Sequence, residues 1–206
     1  NTTGFNVTIP YKKRIFKHLK TKNVHATKIG AVNCVLVGAN TKGINTDWIG
    51  YMGSIKNTKI KKSGKILILG FGGAAQAIFY GFSKKKYKNI IVFNRSRKAI
   101  KTSGAIRFTK KYSLIDKHLK EADLIINTTP TNPLNIKQTK LIKTSTIISD
   151  IVYKPKETAF LKNFKENKKI YGISMLIEQA IPCFHYWFGF SPDIDKELLN
   201  KINSKI

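Results

Sequence analysis

The spacing of apolar residues changes near residue 60, and two architectures follow from the two rhythms. In the first stretch, short β-branched runs alternate with amphipathic ones. Residues 4–9 (GFNVTI) read as a strand. Pro10 then opens a helix over about 11–20, with Ile15, Phe16 and Leu19 on one face and lysines on the other. Residues 32–37 (VNCVLV) read as a buried strand, and GANTKGINTD after it as a turn. Thr46 or Asp47 is the expected cap of a helix running to about Lys56.

Residues 57–65 (NTKIKKSGK) are polar and basic and read as a boundary. Beyond them the strands become continuously apolar: KILILG at 65–70, NIIVFN at 89–94, DLIINT at 123–128 and TIISDIV at 146–152. Between them the pattern predicts a helix from Ala74 to about Ser83, a helix starting near Lys98, a strand near Ala105–Phe108 and a helix near Tyr112–Lys120. From Met175 onward the chain reads as mostly helical. Fully apolar strands alternating with helices mean a parallel sheet covered on both faces. The fold class is therefore α/β: a doubly wound parallel sheet beyond about residue 58, with a smaller α/β unit before it.

Composition adds little to this picture except through charge. The 206 residues are 42% hydrophobic, as expected of a globular chain, and carry a net charge of +27. Such a charge invites a nucleic-acid reading, but only four of the 38 basic residues are arginines (Arg14, Arg95, Arg97, Arg107). Specific readout leans on the bidentate arginine fork, so a solvated lysine coat without specific nucleic-acid binding is expected. No apolar run approaches a membrane span, and no signal peptide is visible. The chain begins with Asn rather than Met, so a processed chain or a piece of a longer one is expected. Cys34 and Cys183 form no CxxC, and the four histidines show no metal-ligand spacing, so reduced, structural, cytosolic residues and no metal are expected.

The strand KILIL runs into Gly70-Phe71-Gly72-Gly73-Ala74-Ala75 and a helix, the G-x-G-x-x-A fingerprint of a Rossmann-type dinucleotide site in its required context. Gly70 serves the tight turn, Gly72 and Gly73 close approach to a pyrophosphate, and Ala75 the packing of helix on strand. The second strand ends in Asn94-Arg95-Ser96-Arg97-Lys98. An acidic residue there would bind a ribose 2′-hydroxyl. Cations and a hydroxyl suit a 2′-phosphate instead, so the expected cofactor is NADP(H). Asp47 is a separate puzzle. It is the only carboxylate before Asp116, and the residues alone leave it as either a helix cap or half of an acid–base pair.

Several blocks taken together carry a resemblance: NVTIPYK (6–12), GAVN (30–33), NTDWIG (45–50), GFGGAAQA (70–77), NRS (94–96), DLIINTTP (123–130), DIVYKP (150–155) and GISMLIEQA (172–180). Their order and content resemble the shikimate dehydrogenase family over nearly the whole chain. The resemblance implies NADPH-dependent reduction of 3-dehydroshikimate to shikimate in a cleft between two domains, with a hinge closure over the cofactor. It implies Lys12 and Asp47 as the catalytic pair, and Thr8, Asn33, Asp47, Tyr153 and Gln179 as substrate ligands. To the cofactor loop of Gly70, Gly72, Gly73, Ala74 and Ala75 and the Asn94–Arg97 stretch it adds Thr128 and Gly172. It also implies a cytoplasmic monomer or homodimer. Two departures stand out. The family's leading strand and helix, with two substrate-binding serines, would precede Asn1, so a truncated substrate unit with an exposed sheet edge is expected. Cys34 also stands where the family usually has Thr. A quinate-using or NAD-using paralogue and a non-catalytic nucleotide-binding relic are the alternatives, although retention of Lys12, Asn33, Asp47 and Gln179 together speaks against a relic.

Overall fold

A computed structural model describes residues 2–102 and 105–205. The first part of the chain runs β1 (Gly4–Asn6), α1 (Lys12–His18), β2 (Thr21–Lys22), α2 (Val24–Ile29), β3 (Cys34–Leu36), β4 (Lys42–Ile44) and α3 (Asp47–Ser54). The second runs β5 (Lys65–Leu69), α4 (Gly73–Lys84), β6 (Asn89–Phe93), β7 (Ala99–Thr102), β8 (Ala105–Phe108), α5 (Asp116–Leu119), β9 (Leu124–Asn127), α6 (Ile136–Thr139), β10 (Ile147–Asp150) and β11 (Lys169–Ile170). Two helices, α7 (Gly172–Phe188) and α8 (Lys196–Asn203), close the chain.

The larger sheet has the order β11-β10-β9-β5-β6 with every pairing parallel. Its strands are apolar throughout because both faces are covered. Along β5, Ile66 and Ile68 join Ala75, Ile78 and Phe82 of α4 on one side. Leu67 and Leu69 join Ile115, Leu119 and Phe160 on the other. Alternation of side chains along a strand thus divides one apolar run between two cores. From β5 the chain crosses to β6 on one side and later to β9 on the other. The strand order reverses there, and such a switch point opens a crevice at the carboxyl ends of the strands.

The smaller sheet has the order β1-β3-β4-β2. Its core is Val7, Ala26, Val32 and Val35, with Ile15, Phe16 and Leu19 of the α1 region packed against it. Helix α3 lies between α4 and α7 and ties this sheet to the larger one. The close approach of α3 to α7 needs glycine. A Cβ on Gly50 would lie 2.5 Å from the Gln179 Cβ and within 3 Å of its backbone.

Several expectations are corrected. The strand expected over 4–9 ends at Asn6, and the one over 32–37 spans only Cys34–Leu36. The stretch expected as a turn before Asp47 contains β4, which pairs antiparallel with β3 and parallel with β2. The helix expected near Lys98 is the strand β7, paired antiparallel with β8 from Ala99↔Phe108 to Thr102↔Ala105. Bonds from Thr109 N–H to the Lys98 carbonyl (2.9 Å) and from Lys98 N–H to Thr109 Oγ1 (2.8 Å) close the base of this hairpin. The β-branched residues Ile100, Thr102, Ile106 and Thr109 favour this extended form over a short helix. The helix expected over 112–120 is a 3-10 turn at Tyr112–Leu114 followed by α5.

Candidate active site

Lys12 is the first residue of α1, and Asp47 is the first of α3. The Lys12 Nζ lies 2.7 Å from Asp47 Oδ2, with the carboxylate side chain 3% exposed and the lysine 15%. Asp47 is not a cap. Thr46 occupies the N-cap position without a side-chain capping bond, and the Asp47 N–H is met by Asn45 Oδ1 at 3.1 Å. Asn45 is fixed in turn by donating to the Ala31 carbonyl at 3.0 Å. The carboxylate is therefore free to face Lys12, and the turn chemistry is done by its neighbour.

Beside this pair lies a polar network. Asn33 Nδ2 donates to Thr46 Oγ1 at 2.8 Å and to Gln179 Oε1 at 3.0 Å, while Asn33 Oδ1 accepts from the Thr46 N–H at 2.7 Å. Gln179 comes from α7 and donates to the Leu176 carbonyl at 2.9 Å. Loop, helix start and C-terminal helix thus converge on one spot. Cys34 and Cys183 are both fully buried beneath it, and Cys183 Sγ sits 3.2 Å from Thr46 Oγ1. A hydrogen bond to Cys183 pushes the Cys34 thiol well above the ordinary thiol value.

The Lys12 side chain borders a cavity of about 830 Å³ whose other wall is the Gly70–Ala74 loop. Gly70 has φ +100° and no room for a Cβ, which would lie 2.6 Å from Thr128 Oγ1. Gly72 faces open space, with nothing within 4 Å of a Cβ. Gly73 packs against the lysine, its added Cβ falling 3.4 Å from Lys12 Cβ. A strained turn, an open backbone and a helix start at one point suit a pyrophosphate. Asn94, Arg95, Tyr112 and Thr128 continue the lining, and burial pushes the Tyr112 phenol up to about 12. The Asn94–Lys98 segment offers no carboxylate to repel a 2′-phosphate. The residues present therefore fit NADP(H).

Other expected residues fall elsewhere. Ala75 is fully buried, as helix–strand packing requires. Ser96 and Arg97 lie beyond the cavity lining, and the Ser96 carbonyl accepts from Asn94 Nδ2 at 3.0 Å and Thr109 Oγ1 at 3.1 Å. Thr8 is exposed in the turn before α1, where its neighbours Ile9 and Pro10 reach the cavity instead. Tyr153 is 42% exposed and outside the lining. Gly172 is explained by packing, since a Cβ would sit 2.5 Å from the Ile151 and Val152 carbonyls. Lys13, Phe71, Thr129 and Pro130 line the cavity without having been singled out by sequence. Thr129 and Pro130 lie in or beside a resembling block, so they were within reach, whereas nothing marked Lys13 among so many lysines. Among the described residues, no group of three or more His, Cys, Asp or Glu is placed to hold a metal, and no helix is long and apolar enough to cross a membrane.

Comparison with known proteins agrees with this geometry. The profile of the shikimate dehydrogenase substrate binding domain matches residues 1–35, and that of shikimate / quinate 5-dehydrogenase matches residues 54–156. A shikimate dehydrogenase (NADP(+)) of Bartonella quintana is 37% identical over 97% of this chain and 74% of its own length. The crystal structure of shikimate dehydrogenase from Aquifex aeolicus superposes with a TM-score of 0.83 at 31% identity, covering 97% of this chain and 76% of that one. That of the Thermus thermophilus enzyme, in complex with NADP(H) and shikimate, gives 0.80 at 28% identity over 98% and 78%. The chain belongs to the shikimate dehydrogenase family.

Proposed function

We propose that this chain reduces 3-dehydroshikimate to shikimate with NADPH, and that Lys12 and Asp47 carry the proton chemistry. The observation that carries the reading is the ion pair itself. The one carboxylate among the first 115 residues is buried, and it holds a single lysine at the mouth of the dinucleotide crevice.

Bound NADPH supplies the hydride that reduces the ring ketone. The oxygen left with a negative charge needs a proton, and the Lys12 ammonium is the donor at hand. Asp47 fixes that ammonium against α3 and can accept from a ring hydroxyl. Once Lys12 has given up its proton, it regains one from solvent at the open cleft. Asn33 spends both amide hydrogens on Thr46 and Gln179 and so orients Gln179, which keeps a second amide N–H on the same side for a polyol ring. The positively charged surroundings favour an anionic substrate. Gly70, Gly72, Gly73 and the start of α4 receive the pyrophosphate, and Asn94 and Arg95 the adenosine ribose with its 2′-phosphate.

Residues 1–58 with 173–206 form the substrate unit on this reading, and 59–172 the cofactor unit. The division of the strands between two sheets supports that partition. A cytoplasmic location and a monomer or homodimer belong to the same reading. The test is NADPH consumption with 3-dehydroshikimate as substrate. Turnover should be lost in Lys12→Ala while NADPH binding, read by nicotinamide fluorescence, persists. Turnover in Lys12→Ala equal to that of the parent chain would refute the assignment.

A further inference from the structure

Lys13 follows the lysine of the proposed acid–base pair and projects into the cavity beside Phe71, Gly72 and Arg95. Its side chain is held there rather than left to sweep the solvent. With the Gln76 amide oriented to satisfy both ends, Gln76 accepts from Lys13 Nζ at 2.7 Å and donates to the Ile29 carbonyl at 2.9 Å. The ammonium also lies 5.6 Å from the centre of the Phe71 ring. Four ion pairs occur among the described residues, and none includes Lys13. Desolvation, and then its charged neighbour Lys98, lowers the Lys13 pKa below the ordinary lysine value. Positive groups with no carboxylate between them thus line the crevice from both walls, and the positive end of α4 points the same way. Such an arrangement carries a repulsion that an anion relieves. A lysine of the ordinary surface coat would have neither the amide anchor nor the inward position.

We infer that Lys13, reaching from α1 across to Phe71 and Gln76, contacts a phosphoester group of the bound dinucleotide. This rests on the NADP(H) reading above and extends it to a residue on the substrate side of the cleft. The consequence is coupling. A cofactor gripped by Lys13 also fixes the first turn of α1, and with it the adjacent Lys12.

The test titrates the parent chain, Lys13→Gln and Lys13→Arg with NADPH and with NADH by fluorescence, with thermal melts alongside. Lys13→Gln should weaken NADPH about tenfold or more, the usual effect of losing a charge-assisted hydrogen bond, while Lys13→Arg retains most of the affinity. Loss confined to NADPH assigns the contact to the 2′-phosphate, and equal loss with NADH assigns it to the pyrophosphate; either supports the inference. Unchanged affinity in Lys13→Gln overturns it. So does equal loss in Lys13→Arg, because charge would then not be the cause. A parent chain that binds neither dinucleotide would instead overturn the NADP(H) reading itself.

Discussion

Gly50 is the point at which packing meets the proposed substrate site. It lies on α3 three residues after Asp47 and touches α7 at Gln179. In Gly50→Ala the new Cβ would fall 2.5 Å from Gln179 Cβ and 2.8 Å from its backbone nitrogen, where ordinary contact is 3.4–4 Å. Both obstacles are anchored to the helix, so α7 has to retreat by about 1 Å. The Asn33–Gln179 bond, now 3.0 Å, would then stretch to about 4 Å and break. Overpacking of this kind costs about 1–3 kcal/mol, offset by about 1 kcal/mol from the better helix propensity of Ala. The net, about 0–2 kcal/mol, should lower Tm by up to roughly 8 °C. Misplacing a substrate amide should raise KM for shikimate by about fivefold to tenfold, with a smaller change in kcat. Gly81→Ala is the control. Its Cβ would meet the flexible Met52 Cγ at 3.2 Å and the Trp48 carbonyl at 3.4 Å, so the cost should be small and KM unchanged. Calorimetry and shikimate oxidation followed by NADPH absorbance read both quantities. If Gly50→Ala matched the parent in Tm and KM, or if Gly81→Ala raised KM as much, the α3–α7 spacing would not set the site.

Arg95→Ala should weaken NADPH binding by about 1.5–3 kcal/mol and leave NADH nearly unchanged, as read by fluorescence titration; equal losses would remove Arg95 from the 2′-phosphate. The pH dependence follows from two histidines. His25 and His118 both sit below the ordinary value of 6.5, chiefly through desolvation and then through neighbouring lysines. The unfolded chain therefore binds these protons more readily, so the stability they contribute is present above pH 6.5 and is lost as pH falls through and below it. Tm should drop on acidification from neutral, and the slope should flatten in His25→Gln/His118→Gln; an unaltered slope would point to other groups.

The parallel sheet was legible because burial on both faces forces continuous apolar runs, and β5, β6, β9 and β10 all fall within the segments so marked. The glycine loop was legible because a positive φ at Gly70 and an open approach at Gly72 leave few residue choices. Strand β8 was legible at Ala105–Phe108, but its partner β7 was not, because a four-residue strand carries too little periodicity to be told from a helix start. Helix α2 also escaped, although Asn23 caps it by accepting from the Ala26 N–H and Gly30 ends it at φ +74°. Those are recognisable signals at both ends of only six residues. At the candidate site, Asp47 looked like a cap because it follows a strand and opens a helix. What the residue pattern could not show is that Asn45, two positions earlier, already meets the backbone N–H that Asp47 presents. Lys13 was hidden for the opposite reason, since a charge repeated throughout a sequence carries no local signal. Gly172 shows that a glycine in a resembling block can also be required by two nearby carbonyls.

The central claim is that Asp47 works with Lys12 rather than shaping α3, and Asp47→Asn tests it most directly. Asn keeps the volume of the side chain and its ability to accept, and it removes the charge 2.7 Å from Lys12 Nζ. Helix α3 loses no side-chain cap and only a first-turn charge worth about 0.3–1 kcal/mol, and the Lys12 ammonium remains accessible to water at the cavity mouth. Turnover of 3-dehydroshikimate should fall on the order of a hundredfold or more while Tm barely moves. Addition of Lys12→Ala to Asp47→Asn should cost far less than the product of the two single losses, because the residues act as a unit. Full turnover in Asp47→Asn, with Tm preserved, would contradict the account.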